Sequence, residues 1–306
     1  MDWKEINIRK YIGEIKKNLN ISIADEIIEK DLLLTLILAE FEKLGIGKEL
    51  IFKGGTLLSR NYLKYHRFSE DLDFVHKDSS SLRNLTRNTR EKKIKQFIDV
   101  FAPKLKEISD NLGLDFSTNR SNLRYCIIRS GRTVYTFKIY YSKEKYIKIE
   151  INFIEKTINK PVELLINAIT DFFNSKDIMF ALNLKKENFK VLSYPLSEII
   201  LEKYRAILTR NKLMERDLFD LYLIPNSLNI NINEVIEKIK SSSLIKKDLN
   251  SLLKLKLKEL KEEKFFASTE KIQDLAIVKY DLVEFSSFKE KIKPKLISIC
   301  EKFLSE

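Results

Sequence analysis

Two carboxylates, Asp71 and Asp73, lie two positions apart in the segment RFSEDLDF. The segment predicts a turn that leads into a strand, where residues i and i+2 point to the same side. The two carboxylates would then project together, while Leu72 and Phe74 enter the core. Such a pair repels itself unless a cation lies between its members, and hard oxygen ligands suit Mg²⁺ or Mn²⁺. The spacing therefore predicts a metal site for phosphoryl chemistry, where two metals can stabilise the attacking and leaving oxygens of an in-line displacement.

A glycine turn precedes this pair by about one helix length. Gly54 and Gly55 follow the apolar residues 50–52, and leucines at helical spacing follow Thr56. This order predicts a strand, a glycine turn and a helix. Adjacent glycines let a triphosphate approach the backbone, free N–H groups of a first helical turn favour an anion, and the Thr56 hydroxyl would cap the helix or bind a phosphate. The chain has no Walker A motif. A lone glycine pair is usually a turn and a lone Asp-x-Asp is usually solvated, so the prediction rests on their combination.

The two motifs together resemble a known family. KGGTLL at residues 53–58 and RFSEDLDF at residues 67–74 are similar to the AbiEii/AbiGii-type nucleotidyltransferase toxins. These toxins, with the related MenT group, are members of the polymerase-beta-like nucleotidyltransferase superfamily. The resemblance spans about residues 35–225. It implies a toxin of a type IV-like toxin–antitoxin or abortive infection system.

The resemblance also implies an activity: metal-dependent transfer of a nucleoside monophosphate from a nucleoside triphosphate to the tRNA 3′ end. It implies Mg²⁺ or Mn²⁺ at Asp71 and Asp73, and a cognate antitoxin as partner. The expected nucleotide-binding residues are Lys53, Gly54, Gly55, Thr56, Arg60, Arg67 and Ser69. Two alternatives stay open, namely nucleotidylation of a protein hydroxyl and a non-catalytic nucleotide- or RNA-binding module.

A second block of the resemblance lies at residues 193–224. Ser197 would cap a helix that runs to about Thr209, and a second helix would begin at Glu215. The resemblance assigns site roles to four residues of this block, Lys203, Arg210, Arg216 and Asp217. Lys203 would neutralise triphosphate charge. Asp217 would act as the base on the acceptor hydroxyl or would position Lys203 or an arginine. The structural alternative is a pair of helices held by surface ion pairs.

A strictly alternating strand supplies one further carboxylate. In YIKIEINF, residues 146–153, the isoleucines occupy one face, and Lys148, Glu150 and Asn152 occupy the other. Nucleotidyltransferase sheets usually offer a third carboxylate from a neighbouring strand. Glu150 is therefore expected to be a third metal ligand or its water-mediated neighbour.

The positive charge of the chain is concentrated after the Asp-x-Asp motif. The formal net charge is +12, and residues 80–150 contain 16 Lys or Arg against 7 Asp or Glu. A basic surface beside a phosphoryl-transfer centre suits a nucleic-acid acceptor. A general bias of the organism's proteins towards lysine would explain the same excess.

Composition excludes several other classes of protein. The chain has no apolar run long enough to span a membrane and no signal-peptide core, so a cytoplasmic protein without membrane association is expected. Two cysteines and two histidines make a zinc site improbable.

The predicted fold is α/β, a nucleotidyltransferase fold with a small mixed sheet flanked by helices and a helical C-terminal region. The expected domains are residues 1–190, the nucleotidyltransferase domain, and residues 191–306, a helical domain that contributes Lys203 and Asp217 to the site. Long helices are expected at residues 22–44 and 82–112, the latter broken near Pro103. Short helices are expected at 162–173 and 176–183, and amphipathic helices at 232–263 and 270–304.

Overall fold

The fold is mixed α/β with a helical C-terminal part, as expected. The computed structural model describes residues 3, 8–172, 178, 182, 190–241, 246–262, 265–266 and 272–306 of the 306-residue chain. The chain forms two compact units. The first contains Met1–Glu155 and Pro161–Tyr194, and the second contains Lys156–Lys160 and Pro195–Glu306. The domain boundary after residue 190 stays a prediction.

The first unit is built on a mixed sheet of seven strands within the described residues, in the order β3-β4-β5-β2-β1-β7-β6. The pairs β2–β5 and β1–β7 are parallel, and the other pairs are antiparallel. The strands are β1 Leu50–Lys53, β2 Asp71–His76, β3 Cys126–Arg129, β4 Val134–Tyr140, β5 Tyr146–Asn152, β6 Val162–Leu165 and β7 Lys190–Ser193.

Helices of the first unit flank this sheet. The long ones are α1 Ile8–Leu19, α2 Asp25–Lys43 and α5 Arg87–Asn111, and the short ones are α3 Gly54–Leu57 and α4 Ser79–Arg83. A π-helical turn, Leu58–Tyr62, continues α3, and 3-10 turns occur at Ile46–Glu49 and Ile169–Phe172.

The central strand β2 is fixed by its apolar face. Phe74 packs on Phe41 of α2 and on Phe52 of β1, with ring centroids 5.6 and 5.2 Å apart. Leu72 is fully buried beside them. Because side chains alternate along a strand, this burial turns Asp71 and Asp73 to the opposite face of the sheet. The predicted strand and its orientation are confirmed.

Most of the predicted elements are present. The helix expected at residues 22–44 is α2, which ends before Gly45 in the left-handed conformation, with φ +62°. Asp31 is buried in the middle of α2. A tight connection at residues 130–133 joins β3 to β4.

Three expectations for the first unit were wrong. Helix α5 continues through Pro103, because buried residues on both sides of the proline hold it against the core. The helix expected at 162–173 is instead strand β6 followed by a 3-10 turn, since pairing with β7 satisfies the backbone. Strand β7 itself was not predicted. The expected helix at 176–183 lies mostly outside the described residues.

The second unit is helical throughout its described elements. Its helices are α6 Leu196–Thr209, α7 Glu215–Leu223, α8 Ile232–Lys240, α9 Lys246–Lys261 and α10 Leu282–Ser305, with a 3-10 turn at Ile272–Asp274. Helices α6 and α7 match the predicted bounds. Ser197 does not cap α6, because the N-cap position is Pro195 and no side chain bonds there. In the part of the chain that is described, every helix of both units is too short or too polar to span a bilayer.

A buried ion pair joins α2 to the segment that follows the glycine turn. The Arg60 guanidinium donates to the Asp31 carboxylate at 2.9 Å and to the Asp31 carbonyl at 3.0 Å. The Tyr65 hydroxyl donates to the same carboxylate at 3.1 Å. Lys64 and Tyr65 have left-handed φ values of +48° and +58°, which are uncommon for such residues. The ion pair therefore holds the chain reversal that returns residues 67–69 to the glycine turn.

We expect Asp31→Ala to destabilise the first unit by about 3–5 kcal/mol, because it leaves the Arg60 charge buried without its partner. Burial raises the pKa of Asp31 despite the attraction of Arg60. Each charge would therefore be costly to bury without the other. The measurement is the urea unfolding midpoint.

The matched control is Asp110→Ala, which removes an exposed partner of Lys106 on α5. Its expected cost is below about 1 kcal/mol. Equal effects of the two substitutions would contradict the structural role of the Arg60–Asp31 pair.

Candidate active site

Strand register gathers the predicted residues of the first unit on one polar face. Lys53 of β1 lies opposite Asp73 of β2, which lies beside Glu150 of β5. One step along the strands, Asp71 lies beside Lys148. Because directly paired residues share a face, these side chains converge on the polar side of three adjacent strands.

Gly54 is required by the position of Asp73. Its φ is +83°, and a Cβ built on it would lie 2.5 Å from Asp73 Oδ2. Any other residue would therefore collide with the carboxylate as well as strain the backbone. The glycine turn and the Asp-x-Asp strand are in direct contact, as their combination predicted.

Gly55 is required by the residues just before β2. A Cβ on Gly55 would lie 2.9 Å from Arg67 Nη2 and 2.9 Å from Ser69 Oγ. Arg67 is buried and donates to the Phe68 carbonyl at 2.7 Å. Arg67 and Ser69 thus pack against the glycine turn, and each presents a donor group there.

Thr56 joins the two motifs and does not cap a helix. Its hydroxyl donates to the Asp71 carbonyl at 2.5 Å, and its side chain is buried. The N-cap position of α3 belongs to Lys53, without a side-chain bond. The capping expectation was therefore wrong, and the placement also argues against a direct phosphate contact of the hydroxyl.

Asp71 and Asp73 are held close enough to repel each other. Burial, followed by the charge of Asp71, raises the pKa of Asp73 to about 6. Lys148 opposes this repulsion, because its ammonium lies 2.7 Å from Asp71 Oδ2. The pair is thus a site where positive charge is strongly favoured, and the protein supplies one cation of its own.

Two residues of this site were not singled out from the sequence. Lys148 could have been found, because it lies on the polar face of the alternating strand two positions before Glu150. Glu155 gave no signal, since it lies just beyond that strand. Its carboxylate accepts from Lys53 at 2.5 Å, from Asn152 at 3.1 Å and from the Tyr194 hydroxyl at 3.3 Å. Lys53 is therefore anchored by Glu155 at the edge of the aspartate pair.

The role of Glu150 as a third metal ligand or its water-mediated neighbour stays a prediction, and its carboxylate already has two partners. Its Oε2 accepts from Arg129 at 2.7 Å and from the Thr136 hydroxyl at 3.2 Å. Among the described residues, no group of three or more His, Cys, Asp or Glu side chains is placed to hold a metal ion. Glu150 is adjacent to Asp73 in the sheet, and its charge contributes to the raised pKa of Asp73 while its carboxylate pairs with Arg129.

Arg60 also lies elsewhere than expected. Its side chain is 1% exposed and forms the ion pair with Asp31. This placement argues against the expected contact with a triphosphate. The residue that the resemblance suggested as a nucleotide ligand is thus a buried partner of α2.

In the second unit, Lys203, Arg210 and Asp217 come together as their block suggested. The Lys203 ammonium lies 2.8 Å from Asp217 and 2.5 Å from Asp220. The Arg210 guanidinium donates a hydrogen bond to the second carboxylate oxygen of Asp217. Asp217 thus positions Lys203 and Arg210, which favours the second of its two predicted roles. The cluster is buried except for Arg210, so it is not a set of surface ion pairs.

A second buried network in this unit fixes residues 156–160. Glu198 accepts the backbone N–H groups of Ile158, at 3.1 and 3.2 Å, and of Asn159, at 2.7 Å. Lys238 is fully buried and donates to Glu198 at 2.7 Å and to the Lys156 carbonyl at 2.8 Å. Charge-assisted bonds of this kind are strong where water is absent.

The comparisons with known proteins agree with this geometry. Residues 36–294 match the family described as nucleotidyl transferase AbiEii toxin, type IV TA system. The chain belongs to the AbiEii family. It is therefore a nucleotidyltransferase-type toxin of the type IV toxin–antitoxin class, whose members use a nucleoside triphosphate and have a cognate antitoxin. The chain matches no curated protein and no solved structure.

The aspartate pair fits the divalent metal that AbiEii-type nucleotidyltransferases generally use. Asp71 and Asp73 offer hard oxygen ligands on one face, and their mutual repulsion would be relieved by a cation. The space next to Asp73 is kept open by the missing Cβ of Gly54.

We expect Gly54→Ala to reduce nucleotidyl transfer by about 100-fold, because displacing a reacting group by about 1 Å costs that much. The displaced group is the Asp73 carboxylate, which the new Cβ would strike. The measurement is kcat/KM for the nucleoside triphosphate.

Gly131→Ala is the matched control. Gly131 also has a left-handed φ, +62°, but nothing lies within 4 Å of an added Cβ. Alanine at Gly131 should strain the backbone about as much as alanine at Gly54, but it contacts no residue of the candidate site. Equal losses in both variants would mean that strain alone, not the Asp73 contact, explains the effect.

Divalent metal should stabilise the first unit against heat. Mg²⁺ or Mn²⁺ relieves the repulsion between Asp71 and Asp73, so the melting temperature should rise with metal concentration. Asp73→Asn should abolish the rise, and Lys148→Ala should enlarge it because the protein's own counter-charge is lost. A rise of equal size in wild type and Asp73→Asn would place the metal elsewhere.

Proposed function

We propose that the protein transfers a nucleoside monophosphate from a nucleoside triphosphate to the 3′ end of tRNA, with Mg²⁺ or Mn²⁺ held by Asp71 and Asp73. The observation that carries the proposal is the Asp73 carboxylate lying directly over Gly54. This contact supports the proposal, because it brings the two carboxylates beside a turn whose backbone a triphosphate can approach closely.

The reaction is an in-line displacement at the α-phosphorus. The acceptor hydroxyl oxygen forms the new bond, the bond from the α-phosphorus to the bridging oxygen breaks, and pyrophosphate leaves with that electron pair. The hydroxyl proton is released to water. A bound divalent ion supplies charge stabilisation for the oxygens of this displacement.

The chain's own residues position the substrate for this step. Arg67 and Ser69 present donors beside Gly55, where the phosphates would approach. Lys53 and Lys148 add positive charge at the edge of the carboxylate pair. We assign nucleotide binding to Lys53, Gly54, Gly55, Arg67 and Ser69, and metal binding to Asp71 and Asp73.

In the second unit, Lys203 is proposed as the group that neutralises triphosphate charge. Asp217 and Asp220 hold its ammonium in one position. A fixed cation stabilises developing charge without the cost of reorganising at the moment of reaction. Asp217 is proposed as the positioning residue for Lys203 and Arg210.

An RNA acceptor is favoured by charge. Between positions 80 and 150, basic residues outnumber acidic ones by 16 to 7, and this stretch includes strand β5, which adjoins the aspartate strand. Phosphate backbones are attracted by such a surface. A protein hydroxyl would gain nothing from it. The cytoplasm, where tRNA and a cognate antitoxin are present, is the proposed site of action.

The test is a transfer assay. The purified protein is incubated with Mg²⁺, total tRNA and each α-labelled nucleoside triphosphate in turn. We expect label on tRNA, and a loss of at least about 100-fold in Asp71→Ala and Asp73→Asn, because the group that holds the charge-stabilising ion is removed.

Asp110→Asn is the matched control, since it removes an exposed carboxylate of α5 outside the site. Its activity should equal that of wild type. Label on protein would replace the tRNA acceptor by a protein hydroxyl. Nucleotide binding without transfer to either would favour a non-catalytic binding module, as would toxicity that persists in Asp73→Asn.

A further inference from the structure

The polar face that carries Asp71 and Asp73 continues across the neighbouring strands. Asp71 of β2 lies beside Lys148 of β5, and Lys148 lies opposite Lys138 of β4. Adjacent strands are about 4.8 Å apart, so Lys138 lies about 10 Å from the aspartate strand. A row of lysines thus leads away from the carboxylate pair.

Tyrosine rings lie next to this row on the same face. Tyr146 of β5 is opposite Tyr140 of β4, with ring centroids 5.2 Å apart. Tyr125 adjoins Tyr140 at 5.8 Å. The Lys138 ammonium lies 4.7 Å from the centroid of Tyr146. The rings therefore form a continuous cluster, with cations among them.

Arg124 extends the cluster as a flat, exposed plane. Its guanidinium lies 3.7 Å from the Tyr140 ring centroid, which is stacking distance. It donates to the Lys143 carbonyl at 3.1 Å, and its side chain remains 39% exposed. The guanidinium also lies 5.6 Å from the Tyr125 ring centroid, so it contacts both tyrosines while part of its side chain stays exposed.

Asp115 and Glu150, two acidic groups near this surface, are already bound. Asp115 accepts from the Tyr125 hydroxyl at 2.9 Å and lies 3.6 Å from Arg124. Glu150 is paired with Arg129. Within the described residues Lys138 has no carboxylate partner. Lys138 thus keeps a positive charge that no ion pair with a described carboxylate neutralises.

We propose that this surface, the tyrosine–cation face (Arg124, Tyr125, Lys138, Tyr140 and Tyr146), binds the unpaired 3′ segment of the acceptor RNA. The proposal rests on the proposed function, because it places the acceptor of that reaction. Unpaired bases stack on tyrosine rings and guanidinium planes, while lysines contact phosphates. The row from Lys138 through Lys148 then leads the 3′ hydroxyl to the aspartates.

A single strand fits this face better than a duplex or a protein segment. Stacking on Tyr146 or Arg124 requires a base whose face is exposed, and bases within a duplex are stacked on each other. A protein segment lacks the regular phosphates that Lys138 would contact. The arrangement of rings and cations thus selects unpaired nucleotides.

The test is the affinity of a short 5′-labelled single-stranded RNA, measured by fluorescence anisotropy without nucleoside triphosphate. We expect Tyr146→Leu to weaken binding by about tenfold, the loss of one base stack, while Tyr146→Phe binds as wild type does. Lys138→Gln should weaken binding and lower the slope of log affinity against log salt by about 0.7.

The controls change the same residue types elsewhere. Tyr11→Leu removes a tyrosine from α1, and Lys258→Gln removes an exposed lysine from α9 in the second unit. Both should bind RNA as wild type does. A blunt RNA duplex of equal length should bind more weakly than the single strand. Equal losses in controls and test variants, or equal binding of duplex and single strand, would overturn the proposal.

Kinetics separate this proposal from the proposed function. Tyr146→Leu and Lys138→Gln should raise KM for tRNA and leave kcat and KM for the nucleoside triphosphate unchanged. If wild type labels tRNA but the variants have the wild-type RNA affinity and KM for tRNA, the proposed RNA-binding face is refuted and the proposed function is not. If wild type labels no tRNA but the variants bind RNA more weakly than wild type, the RNA-binding face is supported and the proposed function is refuted.

Discussion

The active face depends on holding two carboxylates side by side in a partly buried position. Asp71 and Asp73 raise each other's energy, and burial raises the pKa of Asp73 to about 6. Three features of the surrounding structure hold the carboxylates in place despite this cost. Gly54 leaves room for the Asp73 carboxylate, Lys148 supplies a counter-charge, and Phe74 anchors the strand from the apolar side. A site built in this way favours a cation strongly before any substrate is present.

Buried ion pairs fix the geometry within each unit. In the first, Arg60 and Asp31 hold the reversal that returns Arg67 to the glycine turn. In the second, Lys203 is held by Asp217 and Asp220. Burying charges costs solvation energy that mutual attraction scarcely repays. Their directional bonds instead hold these side chains in one arrangement. Catalysis of phosphoryl transfer depends mainly on positioning and electrostatics, so fixed charged groups suit it.

The polar face of the sheet gives the two proposals a common geometry. The apolar side is covered by the aromatic cluster around Phe41 and Phe101, and the two aspartates lie on the opposite side. Strand register then decides which residues meet there. It places aspartates, lysines and tyrosines in successive rows, so that the carboxylate pair and the proposed RNA-binding face lie on one side of the sheet.

Local patterns in the sequence determined the strand β2, the common face of Asp71 and Asp73, the alternation of β5, and the helices that begin at residues 196 and 215. The alternation of apolar residues and the residue types in turns depend on neighbours in the chain, so these features can be predicted from the sequence. Tertiary structure alone decided that Arg60 is a core residue, that Glu150 turns to Arg129, and that Thr56 bonds the Asp71 carbonyl. It also brought Lys148 next to Asp71 and Glu155 next to Lys53. Each of these choices depends on a partner distant in sequence, because a charged or polar side chain takes whichever partner packing brings within reach.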